Sequence, residues 1–174
     1  VKGHIHTDIL MKEVLKREYN LMGKTRLSHI WHMTIEKDDG PLIITDGALN
    51  VLPNIKTKMH ILKNVVNFSN RIGISRPKVA ILSATEEVID SVPSSLEAAE
   101  LTKLAEKENL TADVFGPLAL DNRISKKTAG IKRKRPNCPK VEFMVDIMKI
   151  KTLKKSRVAK KTRYVLKCLI MLFF

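Results

Sequence analysis

Asp121, Asn122 and Arg123 follow closely on a Gly-Pro pair in the stretch GPLALDNRIS, residues 116–125. An acid, an amide and a guanidinium set so close together suggest a polar ligand, if the chain presents them on a loop. Gly116-Pro117 is a strand-stopping pair, Leu118 to Leu120 can begin a helix, and Asp121 then projects from that helix's first turn. Loops at the carboxyl ends of strands are where open α/β sheets hold ligands, so the stretch predicts a site without naming its chemistry.

Other groups invite chemistry with competing readings. His4, His6 and Asp8 could form a metal triad, but two histidines two residues apart on a non-helical stretch are weak ligands on spacing alone; a substrate-facing position or ordinary loop polarity fits as well. His29 and His32, on either side of Ile30-Trp31, read as strand positions. Asp46 before Gly47 either makes an Asx turn or binds a ligand, and Asp121 can equally decorate a helix start. Taken alone, Lys12 and Arg26 are solvated charges.

These groups are carried by an alternation of helical and extended patterns. Residues 8–19 place Ile9, Leu10, Val14 and Leu15 on one side with Lys and Glu opposite, which predicts an amphipathic helix. Ser28 to Ile35 and Leu42 to Thr45 read as strands around an Asp-Asp-Gly-Pro turn at 38–41, hence a hairpin. Pro53-Asn54 introduces a helix in which Ile55, Met59, Leu62 and Val66 recur at helical spacing, ending near Gly73. Val79–Leu82 is a short buried strand, Ser94 or Ser95 can cap a helix reaching about Asn109, Val114-Phe115 is another strand, and residues 118–128 form the last helix. The fold class expected is α/β, layered, with a mainly parallel sheet.

Charge divides the chain. Of 32 basic and 18 acidic residues, residues 131–174 hold 14 basic and 2 acidic, so +12 of the net +14 belongs to the last quarter. Both cysteines, Cys138 and Cys168, lie there too, which excludes a disulfide framework for residues 1–130 and suits a reducing, cytoplasmic compartment. Val1–His4 does not have the charged-then-apolar form of a secretory leader. The closing run Tyr164–Phe174 is apolar apart from Lys167, but its eleven residues are too few to span a bilayer; it reads as a core helix, a strand or neither.

Six segments, VKGHIHTDILMKEVL (1–15), TRLSHIWHMTI (25–35), PLIITDGALNVLPN (41–54), PKVAILSATEEV (77–88), SSLEAAELTKLAE (94–106) and GPLALDNRIS (116–125), resemble in order and spacing the phosphate acetyltransferase and phosphate butyryltransferase family. The resemblance covers about residues 1–130. It implies a two-domain phosphotransacetylase-like fold with its site in the cleft between domains, residues 1–53 being part of the first domain and residues 54–130 part of the second. It also implies acyl transfer between coenzyme A and inorganic phosphate. Coenzyme A thioester is then a substrate and not a bound cofactor, no metal is called for, and acyl-CoA and phosphate are the partners, with a homodimer by family precedent.

Carried over position by position, the resemblance marks His6 and Thr7 in the HTD stretch, Arg26 and Ser28 in RLSH, Asp46 and Asn50 in TDGALN, and Gly116 and Asp121 in GPLALDN as substrate-binding candidates. It assigns none of them a catalytic role. In the family an acid assists deprotonation of the coenzyme A thiol, and arginine with small polar donors holds the oxygens, as a thiolate and a developing oxyanion require. Arg26 is the better phosphate candidate, because its planar fork can grip two oxygens where Lys12 offers a point charge.

The basic segment 131–174 supports a rival reading: KRKRPNCPK and KTLKKSRVAKKTR could draw nucleic acid phosphates by counterion release. Sparse aromatic residues and the lack of a reader motif argue against it. A shifted reading frame beginning near Ile131 is the expected origin of this tail, since adenine-rich codons read out of frame give Lys, Asn and Arg. On that expectation the carboxyl-terminal part of the fold is missing or altered, and the 174-residue chain is an inactive, poorly soluble fragment.

Overall fold

Asn54 and Gly73 bracket the helix on which much of the core is built. The computed structural model describes residues 4–20, 23, 25–34, 41–46, 49–119, 143–145 and 169–173. In chain order its elements are α1 (Thr7–Val14), β1 (Ser28–Thr34), β2 (Pro41–Thr45), α2 (Ile55–Arg71), β3 (Lys78–Leu82), α3 (Pro93–Lys107), β4 (Asp113–Leu118), β5 (Phe143–Val145) and β6 (Leu169–Phe173), with a 3-10 turn at Arg17–Tyr19. The Asn54 side chain accepts the Thr57 N–H at 2.9 Å, an N-cap that satisfies one orphan donor of α2. At the other end Gly73 takes φ +93°, its N–H bonds to Asn70 O, and the Ile74 N–H reaches back to Ser69 O at 2.9 Å. That pair of bonds is a Schellman ending, which needs a left-handed residue and so favours glycine.

The predicted hairpin is present, with β1 and β2 antiparallel and Ile30 opposite Thr45. The six strands lie in the order β4-β3-β5-β2-β1-β6, and β2, β5, β3 and β4 are mutually parallel, the mainly parallel α/β sheet expected. The closing apolar run contributes β6, antiparallel to β1. β3 is buried on both faces, as a central parallel strand must be: Val79 and Ile81 face Leu62, Val65, Phe68, Ala98 and Leu101 of α2 and α3, while Ala80 and Leu82 pack with Leu118 on the other side. Ile30 and Ile43 join the first of these cores, so the hairpin is held by the same helices. Each such fully buried side chain contributes roughly 1.5–3 kcal/mol relative to exposure.

Three expectations are corrected. Gly116-Pro117 does not stop a strand, because β4 runs through both to Leu118, which is therefore strand and not the first residue of a helix. Between Ala80↔Phe115 and Leu82↔Leu118, three steps of β4 match two of β3, a bulge that accommodates a proline without a ladder N–H. The rest of the helix expected over 118–128 falls outside the described residues. The amphipathic helix expected over 8–19 ends at Val14, and its stripe is not the buried one: Ile9 is 56% exposed, and Met11 is the residue that turns inward. α3 is begun by Val92 and Pro93 rather than capped by a serine; the Ser95 hydroxyl instead bonds to Ile89 and Val92 carbonyls.

Among the described residues, no helix is long and apolar enough to cross a membrane.

Candidate functional site

β1 runs opposite to its neighbours, so its first residues lie beside the carboxyl end of β2. Arg26, Ser28 and His29 are thereby brought to the same edge as Asp46, the edge at which parallel sheets hold ligands. Segment 26–29 is fixed from two sides. Asn64, in the middle of α2, donates to Arg26 O at 2.8 Å and to Ser28 Oγ at 2.9 Å, and Asn50 donates to Leu27 O at 3.0 Å. The carbonyls of Arg26 and Leu27 are thus each held by a carboxamide, while the Arg26 side chain projects into solvent. Among the described residues no carboxylate pairs with its guanidinium.

Asp46 is 7% exposed and organises the turn that follows β2. One carboxylate oxygen accepts the backbone N–H groups of His29 and Leu49, each at 3.2 Å, and the other accepts the Asn50 N–H at 3.2 Å and the Asn50 side-chain amide. Acceptance from residues three and four positions ahead is a side-chain-stabilised turn, and the bond to His29 ties that turn to β1. Thr45 Oγ1 adds a 2.8 Å bond to His29 O, so the peptide groups on both sides of His29 are held by side chains of the neighbouring strand's end.

His29 is 8% exposed. Its Nδ1 accepts the Trp31 indole N–H, and the two rings meet edge to face with centroids 5.3 Å apart. Burial pushes the His29 pKa down, and the nearby Asp46 charge offsets only part of that.

A second polar element lies between the helices. Lys58, 3% exposed near the start of α2, forms an ion pair with Glu97, which lies just past the first turn of α3. α2 follows β2 and α3 follows β3, so the pair ties together the starts of the two helices that leave the carboxyl edge. At the end of β3, Ser83 donates its N–H to Leu118 O at 2.8 Å, and its hydroxyl lies 3.0 Å from that of Ser94.

The sequence candidates separate into groups. Arg26, Ser28, Asp46 and Asn50 come together in one hydrogen-bonded unit. His6 is exposed at the start of α1, and Thr7 opens that helix; no hydrogen bond among the described residues joins His6 to the Arg26 unit. Gly116 lies within β4 beneath α3, where a Cβ would meet Ile81 Cβ at 2.9 Å and Ala98 O at 3.2 Å. Asp121 lies outside the described residues. His29, Asn64 and Lys58 were not singled out as site residues by sequence reasoning. Asn64 and Lys58 had a signal, since each interrupts the apolar stripe of α2. For His29 the signal was Trp31 two residues on, since strand period places both on one face. Among the described residues no three His, Cys, Asp or Glu side chains gather as a metal-ligand set.

The model of the phosphate acetyl/butaryl transferase family matches residues 1–148, past the change of composition at residue 131 and through β5. The chain is 42% identical over 133 residues to a phosphate acetyltransferase of Rhizobium meliloti, covering 76% of this chain and 42% of that protein. It is 37% identical over 130 residues to a phosphate butyryltransferase of Clostridium acetobutylicum, covering 74% of this chain and 43% of that one. Among solved structures, a branched-chain phosphotransacylase from Enterococcus faecalis V583 superposes with a TM-score of 0.72 at 33% identity, over 82% of this chain and 51% of the other. A phosphotransacetylase from Streptococcus pyogenes shares the fold, with a TM-score of 0.65 at 21% identity, over 86% of this chain and 45% of the other. The chain spans less than half the length of these two sequence relatives.

Proposed function

Because this chain belongs to the phosphate acetyl/butyryltransferase family, we propose that its carboxyl-edge unit is part of a site that transfers an acyl group between coenzyme A and inorganic phosphate. In that reaction a phosphate oxygen attacks the thioester carbonyl, a C–O bond forms, the C–S bond breaks, and the coenzyme A thiolate leaves and takes a proton. The observation that carries the reading is Arg26: an exposed guanidinium, without a carboxylate partner among the described residues, on a segment whose carbonyls are held by Asn64 at Arg26 and by Asn50 at Leu27. A planar fork reaching into solvent from a fixed backbone suits a phosphate whose charge must be matched during attack. Ser28, Asp46 and Asn50 support it by fixing the loop, their polar groups being engaged with one another and with the backbone. His6, Thr7 and Asp121 remain further substrate contacts in this reading. Acetyl-CoA and butyryl-CoA are the two substrates to try, since relatives of both names match.

The test is a chimera in which residues 1–119 replace the matching segment of the Rhizobium meliloti enzyme. With phosphate, the folded chimera is expected to release thiol from acetyl-CoA or butyryl-CoA. Arg26→Ala is expected to lower kcat/KM for phosphate by roughly 10- to 150-fold, the loss of a charge-assisted hydrogen bond of about 1.5–3 kcal/mol. A folded chimera that releases no thiol, or an Arg26→Ala variant as active as its parent, would sink the proposal.

A further inference from the structure

The carboxyl edge holds a histidine whose proton is assigned by its neighbour. The Trp31 indole N–H can only donate, so His29 Nδ1, which accepts from it, carries no proton. A neutral imidazole in that arrangement bears its hydrogen on Nε2. Among the described residues nothing accepts from that Nε2–H. The His29 main chain is fixed at its N–H by Asp46 and at its carbonyl by Thr45, and the ring itself is oriented at Nδ1 by Trp31. A histidine that served only to fill a strand position would need none of this.

We propose that His29 is a hydrogen-bond donor of the site, presenting Nε2–H to the carbonyl oxygen of the acyl thioester, and that Trp31 is the residue that positions it. The inference rests on the acyl-transfer reading above and adds a residue to it. A neutral imidazole N–H suits this oxygen. It stabilises negative charge that develops at the carbonyl during attack without pairing permanently with the phosphate, which the guanidinium of Arg26 serves better. The assignment also gives Asp46 a second consequence: the acid that builds the turn sets where the imidazole stands.

The experiment uses the 174-residue chain labelled with 15N-histidine, the His29 signals being assigned by loss in His29→Gln. Nuclear magnetic resonance at neutral pH is expected to show His29 as the neutral Nε2–H tautomer and Trp31→Phe to give a mixture of tautomers. Butyryl-CoA is expected to shift the His29 Nε2 resonance, while inorganic phosphate alone leaves it in place. An Nδ1–H tautomer, or an imidazolium at neutral pH, would overturn the assignment. Calorimetry run on the same samples separates the two readings. Binding of butyryl-CoA with the His29 Nε2 signal unmoved overturns the role of His29 and leaves acyl transfer standing. No binding of butyryl-CoA or acetyl-CoA at millimolar concentration, either to this chain or to the folded chimera, counts against acyl transfer and takes the His29 role with it, even where the tautomer is as expected.

Discussion

Replacing Gly116 by alanine tests whether that glycine serves packing or a ligand. A Cβ at residue 116 would sit 2.9 Å from Ile81 Cβ, 3.1 Å from Thr102 Oγ1 and 3.2 Å from Ala98 O. Carbon pairs are at ease at about 3.5–4.0 Å, so the contact with Ile81 is short by roughly 0.6 Å. Two of the three obstacles cannot step aside, since Ile81 Cβ is anchored directly on β3 and Ala98 O is backbone of α3. Overpacking of this sort costs typically 1–3 kcal/mol, and the stiffer unfolded chain that alanine confers returns about 0.4–1 kcal/mol. A net loss of about 1–2 kcal/mol is therefore expected in urea unfolding monitored by circular dichroism. Thr102→Ala in the same chain is expected to recover only part of it, because Ile81 and Ala98 still block the methyl. An unchanged urea midpoint for Gly116→Ala would refute the packing argument and return Gly116 to a ligand role.

Glu97→Ala leaves the buried Lys58 ammonium without its partner and is expected to cost about 3 kcal/mol, the lower end for broken buried pairs because Glu97 is partly exposed; Lys58→Met with Glu97→Leu should restore most of it in the same unfolding assay. His29 has a folded pKa below the ordinary value of about 6.5, so between the two values the unfolded chain binds more protons and stability rises with pH. Its contribution is complete above about pH 6.5 and is lost as pH falls below it, levelling off under the folded pKa. Urea midpoints from pH 8 to 5 are expected to fall more steeply for the parent than for His29→Gln, and parallel curves would contradict the assignment. Asp46→Asn leaves one acceptor oxygen where the carboxylate serves four donors, and is expected to destabilise the fold by about 1–3 kcal/mol; an Asp46→Asn chimera of parental stability with no turnover would instead make Asp46 the proton acceptor.

α2 was legible because all its determinants are local: an apolar repeat, Asn54 before it and Gly73 after it. The hairpin was legible for the same reason, with alternation on both sides of a turn signal. Gly116-Pro117 was misread because the residues that stop a strand also suit a bulge within one, and what decides between them is the approach of α3, a contact between segments distant in sequence. The amphipathic reading of residues 8–19 failed differently. Periodicity shows that a stripe exists, but not that anything covers it, and Ile9 remains exposed. In the site, the unit of Arg26, Ser28, Asp46 and Asn50 came from motif resemblance. Its anchoring could not, because Asn64 lies 36 residues from Ser28 and 38 from Arg26 and meets them only through the packing of α2 on the sheet.

The same hydrogen bonds argue for a division of labour at the carboxyl edge. A group that acts on a substrate must have an atom left to offer, whereas a group that builds the site spends its atoms on the protein. Asp46 has both oxygens engaged by four donors, Ser28 is fully buried against Asn64, and Asn50 donates to two acceptors. To accept a proton from a coenzyme A thiol, Asp46 would have to release the N–H groups of Leu49 or Asn50, unmaking the turn that sets Arg26 and His29 in place. Among the described residues of this edge, the donors placed to reach a substrate are the Arg26 guanidinium and His29 Nε2–H, one charged and one neutral, and the proposed acyl transfer to phosphate has one demand for each. A phosphate dianion needs a permanent cation; a thioester carbonyl gains charge only during attack and is served by a fixed dipole that costs little before it. On this account Ser28, Asp46, Asn50 and Asn64 form one scaffold, and the proposed chemistry is displayed by the two side chains it holds in position.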